Sequence, residues 1–366
     1  MLWLTKGLGP GGAERLLVEQ AGALGEGVAV EAAYLLPWKD HLVADLEASG
    51  VPTHCLGVRT EADVRWLARL DRLVRRGNFD VVHVHSPVSA SLARLALRSL
   101  HRRVAVVDTE HNRWPSHHRA TRALNRATYR LNDAALAVSA EVVASMPPGP
   151  RRTTRVLDHG IGLAGVRARA GDRDATRREL GIGATEVVCV TIANLRSQKR
   201  YPDLLAAARS VVDRDDAVRF VTAGQGPLAD EIRAARDSLG LGDRFAMLGY
   251  RSDVPRLVAA SDLFVLASAH EGLPVAVMEA FALGVPVVAT AVGGVAEAVT
   301  DGVSGLLVPP GDPTALADAI LRAAEPALRA RLAAGAAAAA ARFDVVAAER
   351  EIEATYRAAV ARRRRA

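Results

Sequence analysis

Short apolar, β-branched runs alternate along the chain with longer segments in which apolar residues recur at helical spacing. That alternation is the signature of βαβ units and parallel sheets. In the first half the runs are Leu2–Thr5, Val28–Leu36, Val81–His85, Val104–Asp108 and Ala135–Val138, with a helix opening near Gly12 after the first. In the second half they are Val187–Ile192, Arg219–Ala223, Phe245–Leu248, Leu263–Leu266, Val287–Ala289 and Gly305–Val308. Each half has its own strand set, so the simplest reading is two Rossmann-like units. They divide near residues 160–175, where Met146-Pro-Pro-Gly-Pro150, Gly160-Ile-Gly162 and the charged stretch Arg167–Arg178 interrupt the pattern. The last segment is Ala-rich and helical, Pro326–Arg342 and then Val345–Val360, and it ends in Arg362–Arg365. A frayed, solvated helix end is the plainer reading of that tail, contact with acidic lipid the sharper one.

The 366 residues are 50% hydrophobic, enough for two ordinary α/β cores. The net charge of +6 is unevenly placed. Residues 1–160 carry 21 basic and 16 acidic side chains, residues 161–345 carry 20 and 22, and residues 346–366 carry 6 and 3. A basic first half suits an anionic partner such as phosphate, phospholipid headgroups or nucleic acid. Cys55 and Cys189, far apart in apolar surroundings, give no disulfide framework and no thiolate metal site, and both read as small buried hydrophobes. The chain opens on a strand and not on a charged, then apolar leader. Its longest uncharged stretch, Ala280–Ala296, contains Pro286 and Gly293-Gly294. A soluble, cytoplasmic protein is the expectation.

Gly7-Leu-Gly9-Pro-Gly-Gly12 matches G-x-G-x-x-G, follows a strand and opens a helix, so a dinucleotide-binding loop has to be weighed. That fold wants an acidic residue at the end of the second strand, and here the strand ends in Leu35-Leu36-Pro37, with Glu31 in its first half. No Lys-Ser/Thr follows the glycines, so it is not a P-loop. What remains is a glycine turn whose N–H groups and helix dipole favour an anion, against a tight turn with no ligand.

Glu271-Gly-Leu-Pro274 follows the strand Leu263–Leu266 and opens a helix, with Pro274 suited to its first turn. Glu279 lies eight residues on, up to about 12 Å along the axis if the intervening turn is helical. Carboxylates that far apart do not share a proton; they suit two separate hydroxyl groups on one extended ligand. On spacing alone, a helix-capping Glu271 and an unrelated exposed Glu279 fit as well.

The surroundings decide between these. Ser268-Ala-His-Glu-Gly-Leu-Pro274, Glu279-Ala-Phe-Ala-Leu-Gly-Val-Pro286, Gly293-Gly294, Glu297 and Gly305-Leu-Leu-Val-Pro309 closely resemble the donor-binding region of the retaining family 4 glycosyltransferases. Gly11-Gly-Ala-Glu14, Asp80-Val-Val-His-Val-His85, Asn194-Leu-Arg-Ser-Gln-Lys199 and Gly224-Gln-Gly-Pro227 match in the family's order, so the resemblance spans nearly the whole chain. It implies an α/β GT-B fold of two Rossmann-like domains facing across a cleft. The expected division is an acceptor domain over 1–165, a nucleotide-sugar domain over 166–342, and a crossover helix and basic tail over 343–366 packing back on the first domain.

The resemblance also implies roles. Glu271 holds the donor sugar and Glu279 the nucleotide ribose, while Lys199 and Arg196 neutralise the diphosphate leaving group, which lets the enzyme work without a divalent metal or other cofactor. Gly11, Gly12, Gly224, Gly272, Leu273, Pro274 and Val275 complete the donor contacts. His111, in Thr109-Glu-His111 at the end of a strand, matches the family's histidine near the reacting carbon; by itself it reads as a capping or loop histidine. His111 and Glu271 are the candidate catalytic residues. The chain departs from the family at Ala193-Asn-Leu195, where Gly-Arg-Leu is common, and at Asp158-His-Gly160, where Asn-Gly is commoner.

His83 and His85 share one face of a strand but have no third ligand nearby, which argues against a metal pair. His270 precedes Glu271 and is a further candidate to line the site. Arg119, Arg122, Arg126 and Arg130 recur at helical spacing after Trp114, His117 and His118. A solvated helix face is the plain reading; contact with lipid phosphates or an anionic acceptor is the sharper one and would put the enzyme peripherally on the inner face of the membrane. No nucleic-acid recognition module accompanies the charge. The expected reaction is retaining transfer of a hexosyl group from a nucleoside diphosphate sugar, with UDP favoured over GDP, to the hydroxyl of a lipid-linked saccharide, polysaccharide or small glycoside. The rivals are an NAD(P)-dependent oxidoreductase built on Gly7–Gly12 and a catalytically degenerate nucleotide-sugar-binding protein.

Overall fold

A computed structural model describes residues 1–9, 11–25, 27–157 and 159–365. Pro10 of the glycine loop and Asp158 of Asp158-His-Gly160 lie outside the described residues. The chain forms two compact units, Met1–Gly162 together with Val345–Ala366, and Leu163–Asp344.

The first unit holds β1 (Leu2–Thr5), β2 (Glu31–Tyr34), β3 (Thr53–Cys55), β4 (Val81–Val84), β5 (Ala105–Glu110), β6 (Ala134–Ala137) and β7 (Thr154–Val156). They make one parallel sheet in the order β3-β2-β1-β4-β5-β6-β7. The second unit holds β8 (Val187–Ile192), β9 (Val218–Ala223), β10 (Phe245–Met247), β11 (Leu263–Leu266), β12 (Val287–Thr290) and β13 (Gly305–Val308), ordered β10-β9-β8-β11-β12-β13. The central strands are apolar runs buried on both faces, as parallel strands covered by helices must be. In each sheet the order reverses at one place, between β1 and β4 and between β8 and β11. Ligands of doubly wound sheets bind outside the carboxyl ends of the strands at such a reversal.

Helices Gly12–Ala21, Pro87–Leu100 and Arg119–Thr128 flank the first sheet. The C-terminal helix Val345–Arg365 completes that unit, setting Ile352, Tyr356 and Ala359 against Val81, Ala105, Val107 and Leu136. Burying side chains such as Ile352 and Tyr356 is worth roughly 1.5–3 kcal/mol each. The second unit is built on Phe220, Phe245, Leu263 and Val265 below helices Tyr201–Arg214 and Pro313–Ala324.

The tail is not a frayed end. Helix Val345–Arg365 runs through it, Arg362 donates to the Asp133 carbonyl, and Arg363 and Arg364 pair with Asp133 and Asp80. Cys189 is buried as expected, but Cys55 is exposed, at the end of the edge strand β3. Among the described residues no helix is long and apolar enough to cross a membrane.

Candidate active site

At the reversal in the second sheet, the turn after β8 meets the loop after β11. The turn runs from Ala193 to Lys199 and ends in a single 3₁₀ turn, Ser197–Lys199. It is seated by glycines. A Cβ on Gly224 would lie 1.9 Å from the Ala193 carbonyl oxygen, and one on Gly226 2.3 Å from that of Leu195, so only glycine lets the loop after β9 pass so close. Leu195 N–H donates to the Gln225 carbonyl at 3.0 Å.

Gln198 stitches this turn to the β11 loop. Its carbonyl accepts from Ala269 N–H at 2.9 Å, and its amide donates to the His270 carbonyl at 2.8 Å and to Glu271 Oε2 at 3.4 Å. Glu271 is only 6% exposed. Its Oε1 receives Lys199 Nζ and Ser268 Oγ, both at 2.5 Å. A buried carboxylate needs such partners, and here an ammonium and a hydroxyl supply them. Arg196 is exposed, with no carboxylate bound to its guanidinium among the described residues. One strand end therefore carries a held carboxylate, the ammonium that holds it and an uncommitted guanidinium.

Gly272, Leu273 and Pro274 are half-buried and lead into helix Val275–Ala282, with Val275 buried. Pro274 is extended, φ −70° and ψ 122°, so the helix opens one residue after it. Only Val275 to Glu279 is helical, about 6 Å of axial rise, which halves the upper bound expected from spacing. Glu279 is 8% exposed on that helix, so neither glutamate is the exposed or merely capping residue that spacing alone allowed. Gly294 approaches Gly272 so closely that a Cβ would sit 2.1 Å from its carbonyl oxygen, and the Gly294 N–H donates there at 2.6 Å.

In the first unit the glycine loop is tied down. Leu8 N–H donates to the Lys39 carbonyl at 2.6 Å and Leu42 N–H to that of Leu8 at 2.9 Å. Gly11 is half-buried and spends its N–H on the Gly9 carbonyl at 2.8 Å; Gly12 is exposed at the start of its helix. The carboxyl end of β2 leads into buried Leu35 and Leu36, and Glu31 at its opening end binds His54 Nε2 at 2.6 Å. Among the described residues no acid stands at the carboxyl end of β2, where a dinucleotide ribose would need one.

Four imidazoles gather at the carboxyl ends of β4, β5 and β7. His83 and His85 have ring centroids 4.0 Å apart, His85 and His111 5.5 Å, and His111 and His159 5.7 Å. His85 Nδ1 and His111 Nε2 are hydrogen-bonded at 3.2 Å. Burial, then the neighbouring rings, hold His83, His85 and His111 well below the usual histidine range, so all three are neutral at physiological pH. Beside them Glu110 Oε2 accepts from His117 Nε2 at 3.1 Å. On helix Arg119–Thr128 and the turn after it, Arg119, Arg126 and Arg130 are exposed and Arg122 half-buried.

Sequence reading did not single out Gln198, Ser268 or His159 as site residues, and it weighed His85 only as a metal ligand. Ser268 three residues before Glu271, and Gln198 beside Lys199, are the local signals that could have found two of them.

A family model described as "Glycosyl transferases group 1" matches residues 172–338, and one described as "Glycosyltransferase Family 4" matches residues 10–164. The chain is 29% identical to the N-acetyl-alpha-D-glucosaminyl L-malate synthase of Bacillus anthracis over 70% of its length and 68% of that protein. It is 26% identical to an Escherichia coli UDP-Gal:alpha-D-GlcNAc-diphosphoundecaprenol alpha-1,3-galactosyltransferase over 78% and 77%. Among solved structures, Anabaena HepE in complex with UDP and glucose superposes with a TM-score of 0.84 at 24% identity, over 97% of this chain and 98% of that one. The chain belongs to glycosyltransferase family 4, and it is a nucleotide-sugar glycosyltransferase of the GT-B fold. Neither the strand ends nor these relatives lend support to the oxidoreductase reading.

Proposed function

We propose that the protein transfers a hexosyl group from a UDP-sugar to an acceptor hydroxyl with retention of anomeric configuration and without a divalent metal. The observation that carries this is the Lys199–Glu271 pair at the reversal of the second sheet, with Arg196 uncommitted beside it. An incoming diphosphate competes for Lys199 and meets Arg196. Glu271 stays fixed by Ser268 and Gln198, and its freed lone pairs turn to sugar hydroxyls. Two fixed cations facing the leaving group supply the charge stabilisation that a metal would otherwise give. Glu279, one helical turn along, is assigned to the ribose, and the backbone from Gly272 to Val275, with Gly224, to the remaining donor contacts. His111 is assigned to the sugar, and Gly11 and Gly12 to the phosphates.

UDP is favoured because HepE was solved with it and the Escherichia coli relative is named for a UDP-sugar. An anionic or lipid-linked acceptor is supported by the names of the two relatives, malate in one and diphosphoundecaprenol in the other. The exposed arginines of helix Arg119–Thr128 fit either acceptor, or a peripheral contact with the inner face of the membrane.

Thermal-shift screening against UDP, GDP and ADP is expected to raise the melting temperature with UDP, and a flat response to all three sinks the reading. UDP release from a UDP-hexose in the presence of EDTA, abolished in Glu271→Ala, is the expected activity. Binding that persists with no turnover under any acceptor would favour a degenerate scaffold.

A further inference from the structure

His83 and His85 are not used by the transfer described above, yet their hydrogen bonds fix where protons lie. An indole N–H can only donate, so Trp3 Nε1 gives its proton to the Tyr356 hydroxyl oxygen at 3.4 Å. The Tyr356 hydroxyl then donates to His83 Nδ1 at 2.7 Å. Neutral His83 therefore carries its proton on Nε2 and donates it to Thr109 Oγ1, also at 2.7 Å. Both nitrogens of His83 are committed, and neither can serve the adjacent ring of His85.

The His85–His111 pair admits two arrangements, since each neutral ring carries one proton. If His111 donates from Nε2, the His85 proton sits on Nε2, an atom that is buried and has no partner. If His85 donates from Nδ1, what is orphaned at its Nε2 is a lone pair. Buried orphan N–H groups are rarer in folded proteins than under-satisfied acceptors, so the second arrangement prevails. The proton of His111 is then on Nδ1, which makes no hydrogen bond among the described residues, on a ring that is only half-buried.

We propose that His85 is the positioning residue of His111 and holds it in the Nδ1–H tautomer, so that His111 meets the donor sugar as a neutral hydrogen-bond donor and not as a base. This rests on the assignment of His111 to the sugar made above. His83, its ring tilted against that of His85 with centroids 4.0 Å apart and tethered through Tyr356 to the C-terminal helix, keeps the His85 ring from turning.

Long-range proton–nitrogen correlation spectra of histidine-labelled protein are expected to show His111 protonated at Nδ1 and His83 at Nε2. Protonation of His111 at Nε2 overturns the proposal. In transfer assays His85→Leu is expected to lose roughly ten- to a hundredfold in kcat, the scale of removing the outer partner of a functional histidine, with the Kd for UDP unchanged. His85→Asn keeps an N–H where Nδ1 stood and is expected to recover most of that loss; His85→Gln, whose amide reaches the place of Nε2, is not. Equal rates for the Asn and Gln variants overturn the proposal, and that comparison decides it even where His85→Leu does not fold. Wild-type turnover by His111→Ala would remove the assignment on which the proposal rests. The spectra need no turnover, so they tell that failure from failure of the His85–His111 pair itself.

Discussion

Lys199 sits on the carboxylate of Glu271, and that contact ties two recognition tasks together. Lys199→Ala removes a charge-assisted partner of the diphosphate worth about 1.5–3 kcal/mol, so the Kd for UDP is expected to rise roughly ten- to a hundredfold in calorimetric titration. Arg196 binds no carboxylate and supports no neighbour among the described residues. Arg196→Ala is therefore expected to leave the melting temperature unchanged while weakening UDP, and an unchanged Kd would return the diphosphate to Lys199 alone. Glu271, Lys199 and Arg196 could be singled out as candidates because they fall within an ordered motif. Gln198 was not, because its role is tertiary: a turn after β8 and a loop after β11, some seventy residues apart in sequence, have to touch before its amide has a carboxylate to hold, whereas Ser268 stands only three residues from Glu271. A second acid had no motif at all. Glu349 is 2% exposed, and both its oxygens lack hydrogen-bond partners among the described residues. Burial, then the nearby Glu353 charge, push its carboxyl up to about 8 from 4.5. The folded state thus holds a proton that the unfolded chain has lost. This stabilisation is complete below pH 4.5 and fades as pH rises to about 8, at up to about 1.4 kcal/mol per pH unit. Glu349→Gln should flatten that decline in a series of melting curves, and parallel curves for the two proteins would refute it.

Among elements, the clearest dependence is that of β5 on its flanking helices. Arg94, fully buried on helix Pro87–Leu100, donates to Asp108 on β5 at 2.7 Å and to Asn125 of helix Arg119–Thr128 at 2.8 Å. Breaking a buried pair strands the remaining charge, so Arg94→Leu is expected to cost about 3–5 kcal/mol in denaturant unfolding, whereas a surface pair such as Arg75–Asp71 is worth well under about 1 kcal/mol. The ends of elements are where sequence reading fell short. The apolar run Val28–Leu36 forms a strand only over Glu31–Tyr34, the stretch in register with Leu2–Thr5 of β1. β5 runs on past its apolar stretch through Thr109 and Glu110, since β6 supplies Leu136 and Ala137 beside them, and that extension is what delivers His111 to the strand end. β3 and β7, three-residue edge strands reading Thr-His-Cys and Thr-Arg-Val, have no apolar run to betray them. The interior strands Leu2–Thr5, Val187–Ile192 and Leu263–Leu266 were legible to the residue, because burial on both faces makes them near-continuous apolar runs.

For the whole molecule, the basic tail shows how charge misleads when read locally. Four successive arginines look like a solvated or lipid-seeking end, but Asp133 and Asp80, more than 220 residues earlier in the chain, hold three of them against the first unit. What that helix encloses matters more. Residues 163–344 are inserted between the two stretches that make the first unit, and the later stretch brings Ile352 and Tyr356 to its core. During synthesis the inserted unit is complete in sequence and can close its own core while the first still lacks a wall. Tyr356, which sets the proton on His83, reaches the ribosome exit only after all of that. The chain would therefore acquire the unit Leu163–Asp344 first and its ordered imidazoles last. A chain stopped at Asp344 is expected to release a protease-resistant fragment corresponding to Leu163–Asp344 and to leave residues 1–162 open to digestion. Equal resistance of both parts would contradict that order of assembly.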